Sequence, residues 1–118
     1  MAVGGLRTDL WCAAFVRRHN DLGNMCVVAR RGDPIAGQVF IEVDHLDGTV
    51  SLFTPAPVIS RGDSVNLVFQ RRFTRVEPSV VRERIAREID FDPDLWVLSL
   101  DLRGDDPGID LAPEPAPR

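Results

Sequence analysis

The chain has 118 residues with 44% hydrophobic and 27% charged content, the balance of an ordinary globular domain. That length suits one hydrophobic core, and a globule of this size buries roughly two-thirds of its unfolded surface without needing metals or disulfides. All 14 basic residues are arginine, and lysine and tyrosine are absent. This excludes a phosphate-loop lysine, a Schiff-base lysine and a Tyr/Lys proton relay.

The net charge of −4 is unevenly spread. Residues 1–89 carry 12 arginines against 10 acids, whereas residues 90–118 carry two arginines against eight acids. Neither part has the strong single-sign field of a dedicated nucleic-acid binder. No run reaches the roughly 18 apolar residues of a membrane span, and the N-terminus lacks the basic-then-apolar pattern of an export signal. Cys12 and Cys26 are the only cysteines, too few for a disulfide scaffold. Two reduced thiols in a cytoplasmic protein, without membrane association, are expected.

In chain order, Thr8 is placed to N-cap a first helix running to about His19, with Asp9 in its first turn. Leu10, Ala14 and Arg17, with Trp11, Phe15 and Arg18 beside them, give that helix a broad apolar stripe. Met25–Arg30 reads as a strand, followed by a Gly- and Pro-containing loop over residues 31–37. Gln38–Asp44 alternates, Val39, Ile41 and Val43 on one face and Phe40, Glu42 and Asp44 on the other. Asp47-Gly48 predicts a hairpin into Thr49–Phe53, which Pro55 and Pro57 end. A polar turn at Ser60–Ser64 leads to a strand over Val65–Phe73. Pro78 opens a second helix to about Ile89, with Val81, Ile85 and Ile89 on one face and a Glu83–Arg87 pair. Leu95–Leu102, apolar on both faces, is expected to lie centrally. From residue 105 four prolines and several acids predict a solvated tail beyond a single domain of residues 1–104.

The expected architecture is α+β, an antiparallel sheet of about five strands packed against two helices in the order α-β-β-β-β-α-β. Its apolar face is expected beneath the helix pair, with four consecutive strands forming a meander.

Several strings together resemble one family: Leu10-Trp11 with Arg17-Arg18, Arg30-Arg31-Gly32-Asp33 with Ala36-Gly37, Leu46-Asp47-Gly48, Thr54-Pro55-Ala56-Pro57, and Phe91-Asp92-Pro93-Asp94-Leu95-Trp96. The chain is similar, over roughly residues 6–102, to a small and mainly alphaproteobacterial family catalogued as domain of unknown function 1491. The resemblance implies a small intracellular single-domain protein. It supplies no activity, cofactor, partner or site residue, and the acidic Pro-rich end departs from it.

The residues argue against several chemistries. Cys12, His19, Cys26 and His45 lack the close pairs of a zinc site, so buried thiols and surface histidines are expected. Asp90, Asp92 and Asp94 alternate like a calcium loop, but Leu95 stands where such a loop needs glycine. Arg-Gly-Asp recurs at 31–33, 61–63 and 103–105, each time in a predicted turn. There is no Gly-x-Ser-x-Gly elbow and no dinucleotide fingerprint. No catalytic residue, metal or cofactor is assigned.

One constellation remains. A meander would gather, at one sheet end, Arg17, Arg18 and His19, the hairpin residues Asp44, His45 and Asp47, and Arg71, Arg72 and Arg75. A salt-bridged, solvated surface explains this set simply. The functional readings are, first, an interaction domain for a protein partner or a second copy, using a sheet face or edge. A nucleic-acid or phospholigand binder would use the arginines, with Phe40, Phe53, Phe69 or Phe73 to stack. A small metal-dependent hydrolase would use Asp44, His45 and Asp47.

Overall fold

The alternating strands build a sheet that is apolar on both faces, with one helix on each. A computed structural model of the chain describes residues 7–57 and 67–113. Within them the order is α1 (Thr8–Asp21), β1 (Cys26–Arg30), β2 (Val39–Asp44), β3 (Val50–Pro55), β4 (Val68–Val76), α2 (Pro78–Phe91), β5 (Trp96–Asp101) and β6 (Asp110–Leu111). The α+β class expected from the sequence holds. The sheet, however, has six strands rather than five, in the order β1-β5-β2-β3-β4-β6. It is mixed, since β5 runs parallel to β2 and β6 parallel to β4, while the other pairs are antiparallel.

Only β2, β3 and β4 form the expected meander. β5 inserts between β1 and β2, pairing Leu98 with both Val28 and Ile41. The reason is solvation: a strand apolar on both sides needs neighbours on both edges and cover on both faces. Trp96, Leu98 and Leu100 join Val39, Ile41 and Val43 under Cys12 and Phe15 of α1. Leu95 and Val97 join Phe40 and Leu52 under Val81 of α2, with Ile85 and Ile89 packed alongside. The helices therefore lie on opposite faces, not side by side on one. Phe15, 2% exposed, contributes roughly 1.5–3 kcal/mol through burial alone.

Helix α1 turns only part of the expected stripe inward, Phe15 with Trp11 packed beside it. Thr8, Cys12, Phe15 and His19 are buried, whereas Leu10 is 54% exposed. Thr8 does not cap the helix, because Arg7 holds the N-cap position without a side-chain bond. The first amides of the helix are satisfied by a loop instead: Thr8 N donates to Ile35 O and Asp9 N to Pro34 O, and Thr8 Oγ1 donates to Gly37 O. Helix α2 keeps its expected stripe, although its ion pair is Arg84–Glu88 at 2.7 Å and not Glu83–Arg87.

The loop between β1 and β2 crosses the start of β5. A Cβ at Gly32 would lie 2.1 Å from Asp94 O, and one at Gly37 2.5 Å from the same atom, so only glycine lets the backbones meet. Asp33 N donates to Asp94 O, and Trp96 Nε1 donates to Asp33 O at 2.7 Å. The hairpin between β2 and β3 turns through Leu46 at φ 63° and Gly48 at φ 90°. The predicted Ser60–Ser64 turn, the start of the predicted fourth strand and the Arg-Gly-Asp at 61–63 lie outside the described residues.

The stretch from residue 105, expected as a solvated tail, instead packs on the domain through β6. Pro107 is buried, Ile109 packs against the α1-side cluster, and Ala112 N donates to Phe69 O. Composition hid this because few anchor residues suffice when neighbouring strands supply the backbone partners. Residues 114–118 lie outside the described residues.

Candidate functional site

The charged sheet end is organised around residues 102–109, which cross it on the way from β5 to β6. A bulge in β4 sets Arg75 in left-handed backbone at φ 48°, re-aiming its side chain toward this crossing. Its guanidinium pairs with Asp47 at 3.0 Å and Asp105 at 2.8 Å and donates to Arg103 O. Arg71 donates to Asp105 O and lies over the Phe53 ring, and Arg18 donates to Gly108 O. Thr49 donates to Asp47 through its hydroxyl and amide, and these bonds hold the Asp47 carboxyl below its ordinary range.

Both histidines are buried at 3% exposure, against the expectation that they sit on the surface. His45 Nδ1 donates to Leu102 O, while its Nε2 accepts from Ser51 Oγ, which in turn accepts the Arg75 amide. His19 Nε2 donates to Pro107 O, and Nδ1 meets Asn24 Nδ2 at 3.1 Å. Each ring is a structural strut whose two nitrogens are already used. No surface pattern could reveal this, because both principal partners are backbone carbonyls from about 60 to 90 residues away in the chain.

The remaining members of the predicted set do not converge. Arg17 lies on the outer face of α1, beside Leu10 and Ala14. Arg72 points to the opposite sheet face from Arg71, over the Phe73 ring. Asp44 lies at the α2 face of the sheet, with Oδ1 accepting the Leu46 amide. Cys12 and Cys26 are buried free thiols. Desolvation pushes Cys12 up to about 12 and Cys26 up to about 11, so neither is a nucleophile near neutral pH. Among the described residues no three His, Cys, Asp or Glu side chains converge in a way that could hold a metal ion.

A second region was not foreseen. Helix α2 lies over β3 and β4, whereas α1 lies over β1 and β5 on the other face. On the α2 side the helix buries Phe40 of β2 and Val97 of β5, but beyond them the face is open, and a groove of about 450 Å³ runs along it beside α2. Its floor is Val97, Ser99 and Asp101 of β5 beside Glu42 and Asp44 of β2, and its wall is Arg82, Ile85 and Ile89. The parallel register sets Glu42 beside Ser99 and Asp44 beside Asp101. Ser99 Oγ donates to Glu42 Oε1 at 3.2 Å. Burial pushes the Glu42 carboxyl up, and Asp44 adds to this, while the Ser99 bond and Arg82 oppose it. Ser99 is thus paired with a carboxylate and not with an imidazole base. The polar positions Glu42 and Ser99 within apolar strands were the available signal, but only the β2–β5 pairing brings them together.

The outer edge of β1 is partly sealed. The Asn20 side chain accepts from Cys26 N at 3.1 Å and donates to Cys26 O at 3.0 Å, acting as a one-residue mimic of a neighbouring strand.

A six-stranded mixed sheet with one helix on each face, crossed at one end by residues 102–109, defines a small α+β domain with an open groove. A family model described as "Protein of unknown function (DUF1491)" matches residues 6–110. The chain belongs to that family, and the match runs past the residue-102 limit of the sequence resemblance into the acidic segment. Among solved structures, protein Atu0922 from A. tumefaciens is similar at TM-score 0.80 and 27% identity, over 93% of this chain and 97% of that one. A crystal structure of a DUF1491 family protein from Caulobacter crescentus CB15 is similar at TM-score 0.74 and 29% identity, over 92% and 98%. An NMR structure of a DUF1491 family protein from the same organism is similar at 0.74 and 32%, over 92% and 97%. No curated protein matches the chain. No helix among the described residues is long and apolar enough to cross a membrane.

Proposed function

We propose that the chain is a non-enzymatic interaction domain whose partner is another protein, received on the open half of the sheet. One observation carries this reading: beyond Phe40 and Val97, which α2 buries, the row Val27, Ser99 and Glu42 on the α2 side of β1, β5 and β2 borders a groove along the half-buried flank of α2. Met25 and Val27 border this surface at 67% and 50% exposure. A helix-flanked sheet face with apolar borders is a common seat for a partner. Affinity capture from native lysate with the wild-type chain and with Val27→Glu tests it. A stoichiometric protein held by the wild type and lost by the variant is expected. Its absence from both captures would refute the reading.

The alternative is a nucleic-acid or phospholigand contact wrapped around β4, with Arg71 on one sheet face and Arg72 on the other. It is favoured by the stacking of these guanidinium groups on Phe53 and Phe73, at 5.4 and 4.8 Å. It ranks second because Arg71, Arg75 and Arg18 are occupied by carbonyls and Asp105. Fluorescence anisotropy with a labelled single strand at about 50 mM salt, where such binding is strongest, separates the two. A flat titration removes the alternative.

A further inference from the structure

We infer that the occupant of the groove is an amphipathic helix of the partner protein, carrying lysine or arginine along one edge of an apolar face. This deepens, and rests on, the interaction reading above.

The row Val27, Ser99 and Glu42 crosses three strands on this face. Strands lie about 4.8 Å apart, so β1, β5 and β2 span roughly 10 Å, close to the 10–12 Å diameter of one helix with its side chains. A helix seated there would lie beside α2 at ordinary helix–helix spacing, against Ile85 and Ile89 on one side and Val27 on the other. An added strand fits less well, because Asn20 already holds the outward N–H and C=O of Cys26.

Charge selects the kind of helix. Glu42, Asp44 and Asp101 stand together at the C-terminal ends of the parallel strands β2 and β5. Arg82 on the wall is the cation near Glu42, and Arg30, at the other end, donates to Pro93 O. A wholly apolar helix would strip water from these carboxylates and offer them no countercharge, which is costly, and an acidic helix or nucleic acid would be repelled. A cationic edge satisfies them and relieves the desolvated Glu42 in particular.

The probe is a synthetic helix of about 18 residues, leucine along one face and lysine on its flank, titrated into the full chain labelled with 15N. Amide shifts are expected at Val27, Ala29, Ser99 and Asp101. A version with glutamate for lysine should bind at least about tenfold more weakly, as should Glu42→Gln/Asp101→Asn, whose own spectrum reports that it folds. Equal binding of both peptides, or shifts confined to the outer face of α1, would overturn the inference. A photo-crosslinking residue placed at Val27 or at Leu10 in native cells separates the two levels. Capture of a protein at Val27, with both peptides binding equally or not at all, rejects this inference and spares the interaction reading, whereas capture at Leu10 alone or at neither position rejects both.

Discussion

The indole N–H of Trp96 donates to the backbone carbonyl of Asp33 at 2.7 Å, joining the β1–β2 loop to the first residue of β5. Asp33 also accepts the Ile35 and Ala36 amides through Oδ2, and Arg31 lies over the Trp96 ring at 5.1 Å. The strings Arg30-Arg31-Gly32-Asp33, Ala36-Gly37 and Asp92-Pro93-Asp94-Leu95-Trp96, which carried the family resemblance, are thus neighbours in space. Their shared task is architectural: they hold a loop over β5 so that β1 and β2 flank it.

Gly32→Ala should therefore be among the more damaging single-methyl changes. The added carbon meets backbone at Asp94 and Leu95, and overpacking of this kind costs about 1–3 kcal/mol. Urea denaturation should show the loss at Gly32, with Gly104→Ala, whose Cβ meets nothing, close to neutral.

Removing the His45 imidazole should cost more than an average surface change. His45→Ala leaves Leu102 O without its donor and Ser51 Oγ without its acceptor in a buried site, at about 1–3 kcal/mol. Added divalent metal should leave the melting temperature unaltered. A metal-dependent rise would point back to hydrolase chemistry at Asp44, His45 and Asp47.

Glu42→Gln should stabilise the fold at neutral pH. The Glu42 pKa is raised chiefly by burial, so the folded state holds this proton more tightly than the unfolded chain does. Stability from this group is present at low pH and declines as pH rises from the ordinary value of 4.5 through the folded value. Gln retains an acceptor for Ser99 without the charge. Melting curves across pH 4 to 7 should accordingly slope less in the variant over the interval just above 4.5.

Cys12 and Cys26 should resist iodoacetamide at pH 8 in the native chain and react at both positions once it is unfolded, as read by intact mass. Burial keeps both thiols protonated, and the thiolate is the reactive form. Rapid native labelling at Cys26 would mean that β1 frays from the sheet.

What the sequence made legible was local. Alternation in β2 and β5 assigned Val39, Ile41 and Val43 correctly to one face and Phe40 to the other, and Asp47-Gly48 marked a real hairpin. The Val81, Ile85, Ile89 spacing found the inner side of α2. What stayed hidden depends on partners remote in the chain. Glu42 and Ser99 are 57 residues apart, and alternation does not say which strand lies beside which. The same limit concealed the two buried histidines, β6, and the groove. The predicted charged end was half visible: Arg75, Asp47, Arg71 and Arg18 do gather there, but the acidic segment that occupies them looked like solvated tail.

The insertion of β5 between β1 and β2 has a consequence for synthesis on the ribosome. Until residues 96–101 emerge, β1 has no strand neighbour and β2 lacks one of its two. The nascent chain must keep those edges from closing on each other or on another polypeptide. Completion of the sheet thus awaits β5, which follows β2, β3, β4 and α2 in the chain, a topology that favours slow, all-or-none maturation.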